Sequence, residues 1–569
     1  MSRAHGSDRA AGAVEAAALA LVAGWVTYLV IHEEEDLDEA PTLGNTHESR
    51  VLQREAMPNV LFVLHAMSLA AVLWALVTPH QLPRAVQELS RHERDTGIVV
   101  GCILPPLVLL SRLLVERYSG REDSSFTFFY AWTSVSVGAS VLIKVGLCRS
   151  LAPSVVLLVD AIVLPVASAI GQIECGYRWI LASGCRCVVG LVLFYTMKCL
   201  PRSFTVGESV LVAQGVGMGL FDALLTTLVR LDEMDVIDLA PGIMHPWMLF
   251  ETERKDYVVA LQAGLLGSLM VCLAVVPLLN VYGSPAPSVI APPLPIQASI
   301  SFVARALIVV GGFVYPWSCL LLDTWNPFQW LLAFIFDHQQ YRFGLILYWL
   351  ACLVVLVPLF AVVSRQFKLR TIIARKLFHA LVVIMFVPAY FVDPPMLALS
   401  YGVALSVFAL VECVRALSLP PFGRTIAEFM KAFIDHREGG RVILTHTYLL
   451  LGCALPLWLA PVINGFGAAP LASNAGILAL GVGDAMGAVI GSSFGRRKLF
   501  GSKTIEGTLA ILVSMGIASL LFHDFHVLAL GNGEWTQASL FAIGLMLTAL
   551  LEAATAQIDN LVLPLFLFV

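Results

Sequence analysis

The 569-residue chain is 58% hydrophobic and 13% charged, with a mean hydropathy of +0.83, which excludes a soluble globular protein. Its net charge of −5 is dispersed over many short loops and one acidic patch and says little about partners; the apolar composition makes membrane lipid the expected partner, and nucleic acid is not expected. The 11 cysteines lie mostly inside apolar runs, as at Cys102, Cys185, Cys187, Cys272 and Cys352; they read as small buried hydrophobes, not as a disulfide framework or a zinc site.

Apolar runs long enough to cross roughly 30 Å of hydrocarbon recur along the whole chain, about fifteen in all. They are continuously apolar instead of alternating, which predicts an all-α polytopic membrane protein and not a barrel. Residues 1–31 carry Arg3 and Arg9 ahead of the first run. No small-residue cleavage site precedes the acidic stretch 32–40, so this run reads as a retained span and the acidic stretch as a solvated loop.

From about 15 to 363 the sequence predicts roughly ten spans joined by short loops, including 59–77 and 258–276. Lys144, Asp160, Glu208 and Asp222 are isolated polar residues in this region, suited to lining a cavity or, more commonly near span ends, to snorkelling or pairing between helices. The proline-rich stretch 283–295 marks a loop. No internal repeat is evident, which gives no support to an inverted-repeat transporter.

The loops change character at 364, dividing the chain into an N-terminal multi-span region, 1–363, and a C-terminal catalytic region, 364–569. Basic residues in 364–376 precede spans at about 377–391 and 396–416, joined by the turn VDPP. The next loop, 417–441, carries Arg424, Lys431, Arg437 and Arg441. Both basic loops therefore fall on one side, which the positive-inside rule makes cytosolic. A span at 443–462 leaves that side, NGFGAAP turns in the lumen, and 471–492 returns to Arg496, Arg497, Lys498 and Lys503. One further excursion, 508–522 and 537–553, brings QIDN at 557–560 back to the same face. Asp484, Glu506 and Asp559 are thus expected to converge near one membrane interface.

The segment 481–508, GVGDAMGAVIGSSFGRRKLFGSKTIEGT, combines the parts that a nucleoside triphosphate requires. Gly481, Gly483, Gly487 and Gly491 permit close helix packing or close backbone approach, and Gly495 and Gly501 loosen the loop. Arg496, Arg497, Lys498 and Lys503, with Thr504 beside the last, supply charge and donors for phosphate. Asp484, Glu506 and Asp559 are hard oxygen ligands suited to Mg²⁺. Asp484 lies in an apolar segment with no counter-ion nearby in sequence, a position that calls for a bound metal or a phosphate-binding lysine ahead of a purely structural pair. His379 and His446 fall near the cytosolic ends of their spans, each placed either for proton transfer or for a structural hydrogen bond. Asp484, His379 and His446 all stand as candidates for the general base.

These strings resemble a known family, the eukaryotic dolichol kinases, within the wider group of CTP-using polyprenol and phytol kinases and phosphatidate cytidylyltransferase-like proteins. The resemblance is carried by ARKLFHA (374–380), LTHTYLLLGCALPLWL (444–459), GVGDAMGAVIGSSFG (481–495), KTIEGT (503–508) and QIDNLVLPLFL (557–567), with modest echoes in RSFTVGE (202–208) and YRFGLILYW (341–349). It implies an endoplasmic reticulum enzyme, its active site facing the cytosol, that uses CTP with Mg²⁺ or Ca²⁺ to phosphorylate dolichol or a related polyprenol. The dolichyl phosphate formed would serve N-glycosylation and GPI-anchor synthesis. It also implies a CTP-binding loop at about 481–508, with Arg375 and Lys376 as second phosphate contacts by motif match. The alternatives are another CTP-using lipid enzyme, either a polyprenol or phytol kinase or a phosphatidate cytidylyltransferase, and, outside the enzymes, a membrane transporter. The Pro-Gly-His-Gly-Gly signature of the cytidylyltransferases is absent from the chain. Only nine apolar residues follow QIDN, about 13 Å of helix, too short to span on their own.

Overall fold

The computed structural model describes residues 2–36, 46–77, 84–91, 93, 95–118, 125–144, 177–237, 255–283, 292, 294–336, 340–430, 442–460, 462–463, 466–467, 470–524 and 534–569. Asp160, Lys431, Arg437 and Arg441 lie outside the described residues. Among the described residues the fold is all-helical apart from a two-residue antiparallel pair, Val462–Ile463 with Phe466–Gly467. Among the described residues 10 helices are long and apolar enough to cross a membrane, and seven shorter apolar helices accompany them. The polytopic helical architecture expected from the apolar runs is the one observed.

Two compact units divide the chain, Met1–Glu253 together with Ala554–Val569, and Arg254–Ala553. The change in loop character at 364 falls inside the second of these.

The first unit contains α1 (Ser2–Asp36), α2 (Thr46–Val77), α3 (Ile98–Tyr118), α4 (Ser125–Ile143), α5 (Tyr177–Cys199) and α6 (Val206–Glu233). Helix α3 is its centre: 83% of its apolar window is buried, and it packs against α1, α2, α4 and α6. The close approach of α6 to α3 depends on glycine. The Gly207 N–H donates to the Thr96 carbonyl at 3.0 Å, and a Cβ added at Gly207 would lie 1.8 Å from the Gly97 carbonyl oxygen. Gly207→Ala is therefore expected to force the two backbones apart and to destabilise the unit by about 3 kcal/mol. Gly215→Ala on the same helix, where nothing lies within 4 Å, is the control. Thermal melting of the detergent-solubilised variants measures the difference.

The N-terminus of α6 also carries a buried polar knot. Thr205 caps the helix in a capping box with Glu208, whose carboxylate accepts from the Thr205 N–H at 2.9 Å. That carboxylate also accepts two bonds from the Arg91 guanidinium, at 2.7 and 3.0 Å. A fourth bond comes from the Ile558 N–H, at 2.9 Å. The Thr205 hydroxyl donates to the Gln557 side-chain oxygen at 2.6 Å. Two short motifs far apart in sequence, RSFTVGE and QIDN, thus meet inside one unit, and Glu208 is compensated as an acid in an apolar run requires, by loop residues and not by another helix. The last ten-residue helix, Asp559–Phe568, follows this knot and buries most of its side chains, packing against α3. It is an internal helix of the first unit and shorter than a span.

In the second unit α7 (Asp256–Tyr282) packs on α8 (Ile296–Leu321), which contains a π-helical turn at Val310–Val314. There follow α9 (Pro327–Phe336), α10 (Gln340–Gln366), α11 (Thr371–Val392) and α12 (Pro394–Ala416). Asp393 ends α11 and begins α12: its carboxylate accepts from the Met396 N–H, Pro394 occupies the first turn, and Arg342 of α10 pairs with it at 2.5 Å. After α13 (Gly423–Met430) come α14 (Thr445–Leu459), α15 (Ile477–Phe494), α16 (Ile505–Asp524) and α17 (Glu534–Ala554). Helices α8 and α10 each bury only 11% of their apolar windows, so their open faces are suited to lipid contact.

Candidate functional site

The site is built where α15 is held between α11 and α16. Gly481 faces α11, where an added Cβ would meet Val383 at 2.7 Å. Gly483, Gly487 and Gly491 face α16 at four-residue spacing, against Met515, Ile511, Thr504 and Gly507. These glycines serve helix-to-helix packing, the plainer of the two roles their spacing allows. Their effect is to lay Asp484 against two neighbouring helices at once.

The first part of α15, Ile477–Asp484, is π-helical, ending at Asp484 itself. A π turn widens the backbone and redirects carbonyls that an α-helix would use internally. His379 of α11 exploits this: its Nδ1 lies 2.8 Å from the Leu480 carbonyl oxygen. Because a carbonyl only accepts, Nδ1 carries the proton, and in the neutral ring Nε2 keeps its lone pair. His379 is buried, and its Nδ1 is also 3.5 Å from the Asp484 carboxylate.

Asp484 is buried, 3% exposed, and its carboxylate forms an ion pair with Lys376 of α11. The counter-ion missing from its local sequence is thus supplied 108 residues away. Arg375 lies half-buried beside Lys376 on the same helix. His446 of α14 stacks edge-on against Phe378 of α11, with ring centres 5.9 Å apart. Its Nδ1 has no hydrogen-bond partner among the described residues.

The loop that follows α15 is a compact hairpin. Lys498 and Thr504 form an isolated bridge, Leu499 N–H donates to the Lys503 carbonyl, and Ile505 N–H donates to the Arg497 carbonyl. Gly495 closes against Thr504, and Gly501 takes a φ of 53° at the tip, a left-handed conformation that glycine adopts without strain. Glu506, in the first turn of α16, accepts from the Arg497 N–H with both oxygens at 3.2 Å, a favourable position for an acid at a helix N-terminus. Its carboxylate therefore closes the loop. Arg496, Arg497 and Lys498 are exposed at the rim, and Arg370 Nη1 donates to the Ser492 carbonyl at 3.0 Å.

Lys503 behaves differently from the rim cations. Its ammonium turns inward to an ion pair with Glu552, near the end of α17. Carboxylate oxygens of Asp484 and Glu552 lie within 4.8 Å of one another. The second unit thus brings Asp484, Lys376, His379, Lys503 and Glu552 into one cluster below the hairpin. Asp559 belongs to the first unit, as the opening residue of its last helix. Glu552 is the residue that sequence reasoning passed over; the signal was present, since it is the one charged residue in the apolar run 535–554.

This set can hold a phosphate chain by its exposed guanidinium and ammonium groups, and its carboxylates are hard oxygen donors of the kind magnesium or calcium takes. The dolichol kinase family model matches residues 185–454. Dolichol kinase EVAN of Arabidopsis thaliana is 29% identical over 527 residues, covering 84% of this chain and 88% of that protein. The human dolichol kinase is 34% identical over 402 residues, 67% of this chain and 66% of its own length. The mouse dolichol kinase is 33% identical over 401 residues, 67% of each chain. No solved structure matches.

Proposed function

Because the chain belongs to the dolichol kinase family, we propose that its second unit carries the transfer of the γ-phosphoryl group of CTP to the terminal hydroxyl of dolichol. The protein is a dolichol phosphotransferase. The donor, the metal and the roles of single residues are our reading of the site. One observation carries it: a buried Asp484–Lys376 pair and a Lys503–Glu552 pair lie side by side beneath a loop of exposed cations.

Arg496, Arg497, Lys498 and Lys503 bind the phosphate chain of CTP, with the backbone of Gly495 and Thr504 shaping the loop around it. Arg375 and Lys376 approach from α11. Asp484 and Glu552 would hold Mg²⁺ or Ca²⁺, which when bound offsets negative charge on the transferring group, while Glu506 keeps the loop closed. The donor chemistry of these carboxylates suits such an ion. The dolichol oxygen attacks the γ-phosphorus, the bond to the β-phosphate oxygen breaks, CDP leaves, and the hydroxyl proton passes to a base. His379 is the base favoured by geometry, because its tautomer is set by the Leu480 carbonyl and leaves Nε2 as acceptor. His446 and Asp484 are the remaining candidates for that step. Positioning and charge stabilisation supply most of the acceleration, since phosphoryl transfer passes through a loose transition state.

The basic loops support an active site on the cytosolic face of the endoplasmic reticulum membrane, where CTP is available. The polyprenol tail would then stay in the bilayer with only its hydroxyl at the interface. Purified protein in detergent is expected to move label from γ-labelled CTP onto dolichol and none from α-labelled CTP onto any lipid. Label from the α position on phosphatidate would instead identify a cytidylyltransferase, and no labelled lipid in either case would defeat the CTP-kinase reading.

A further inference from the structure

Lys503 stands on a loop whose other cations are exposed, yet it is drawn down to Glu552, the one acid in the apolar run 535–554. Its side chain keeps 30% of its surface exposed, whereas that of Glu552 keeps 7%. The carboxylates of Glu552 and Asp484 are close enough to repel, and each holds one lysine in place of a shared cation. A lysine is a point charge on a flexible four-carbon stem, so Lys503 can exchange one anionic partner for another by side-chain rotation alone.

We propose that Glu552 is a positioning residue for the nucleotide: it holds Lys503 inward until phosphate arrives, and yields it to the phosphate chain on binding. The proposal rests on the assignment of the 495–508 loop and Asp484 to the nucleotide site. Once Lys503 has turned to phosphate, Glu552 and Asp484 are left with one cation fewer between them. That change favours a divalent cation beside them, so nucleotide and cation each strengthen the binding of the other, by the same factor in both directions.

The test uses full-length protein in detergent. Binding of a fluorescent CTP analogue is measured with and without Mn²⁺, and binding of Mn²⁺ is followed by electron paramagnetic resonance with and without the same analogue, against protein-free controls. In the unaltered protein Mn²⁺ is expected to tighten binding of the analogue about tenfold, and the analogue to tighten Mn²⁺ binding equally. With Glu552→Gln, the analogue is expected to bind about tenfold more tightly without metal, because no carboxylate competes for Lys503, and the coupling to Mn²⁺ is expected to collapse. Glu552→Asp, which withdraws the carboxylate by one methylene, moves both quantities the same way by less and serves if the glutamine variant does not fold. If Glu552→Gln weakens nucleotide binding or leaves it unchanged while Lys503→Met weakens it, the competition is absent and the proposal fails. If Lys503→Met itself leaves nucleotide binding intact, the assignment of the site fails instead.

Discussion

Asp484→Asn is expected to abolish lipid phosphorylation and to lower stability together, and the two losses have different causes. The substitution keeps the side-chain volume but leaves the Lys376 ammonium, 12% exposed, without its carboxylate. Removing one member of a buried ion pair costs about 3–5 kcal/mol. Activity falls further, by at least roughly 10²–10³-fold, because a preorganised charge at the transferring group is lost. Lys376→Met reproduces the destabilisation from the other side. The double variant Asp484→Asn with Lys376→Met removes both charges, so its melting temperature is expected to recover most of the way while transfer stays absent. Trp-fluorescence melting and transfer of γ-label from CTP to dolichol read the two quantities separately. Normal transfer by Asp484→Asn, or recovery of transfer in the double variant, would reduce the pair to a structural stitch.

Glu208→Ala is expected to have the largest effect on the first unit. A single carboxylate there accepts from Arg91 twice, from the helix-capping Thr205 N–H and from the Ile558 N–H. Truncation strands two backbone donors and leaves a guanidinium whose side chain is 8% exposed with only the longer contacts to Glu93 and the Ser203 carbonyl, at a cost of about 3–5 kcal/mol. Gln557→Ala removes the acceptor of the Thr205 hydroxyl and a long bond to the Asp95 carbonyl, and should cost about 1–2 kcal/mol. Arg91→Lys is not expected to behave as a conservative change, since an ammonium cannot reproduce the two-pronged contact. Thermal melting in detergent ranks the three. A loss for Glu208→Ala no larger than for Gln557→Ala would show that the knot relaxes around the missing carboxylate.

The helical, membrane-spanning character of the chain is legible in the sequence because every span needs a long apolar run. Span ends are less so: α14 is only 15 residues long, and the apolar stretch after QIDN turns out to be an internal helix of the first unit. Within the site, Asp484 stood out because an acid in an apolar segment demands compensation, and the kind of compensation was foreseeable. Its source was not, since Lys376 is brought to it by packing of α11 against α15 and not by local spacing. Lys376 was named from the motif ARKLFHA as a phosphate contact; here it is found holding an acid. The glycines at four-residue spacing were readable as packing devices, and that is how Gly483, Gly487 and Gly491 are used. Glu506 was grouped with Asp484 by residue type, but its hydrogen bonds to Arg497 depend on a hairpin that no periodicity announces. Glu552 escaped notice because one acid near a helix end resembles an ordinary boundary residue.

The return of the last residues to the first unit has a consequence for how the protein is made. Translation proceeds at about 5–20 residues per second, so the roughly 300 residues from Arg254 to Ala553 occupy the ribosome for about 15–60 s after Glu253 has emerged. Throughout that interval Glu208 and Thr205 lack Ile558 and Gln557, and the face of α3 that receives the final helix stays open. The first unit is closed only by residues 554–569, so its nascent helices must be kept apart from the wrong neighbours until those residues have been made.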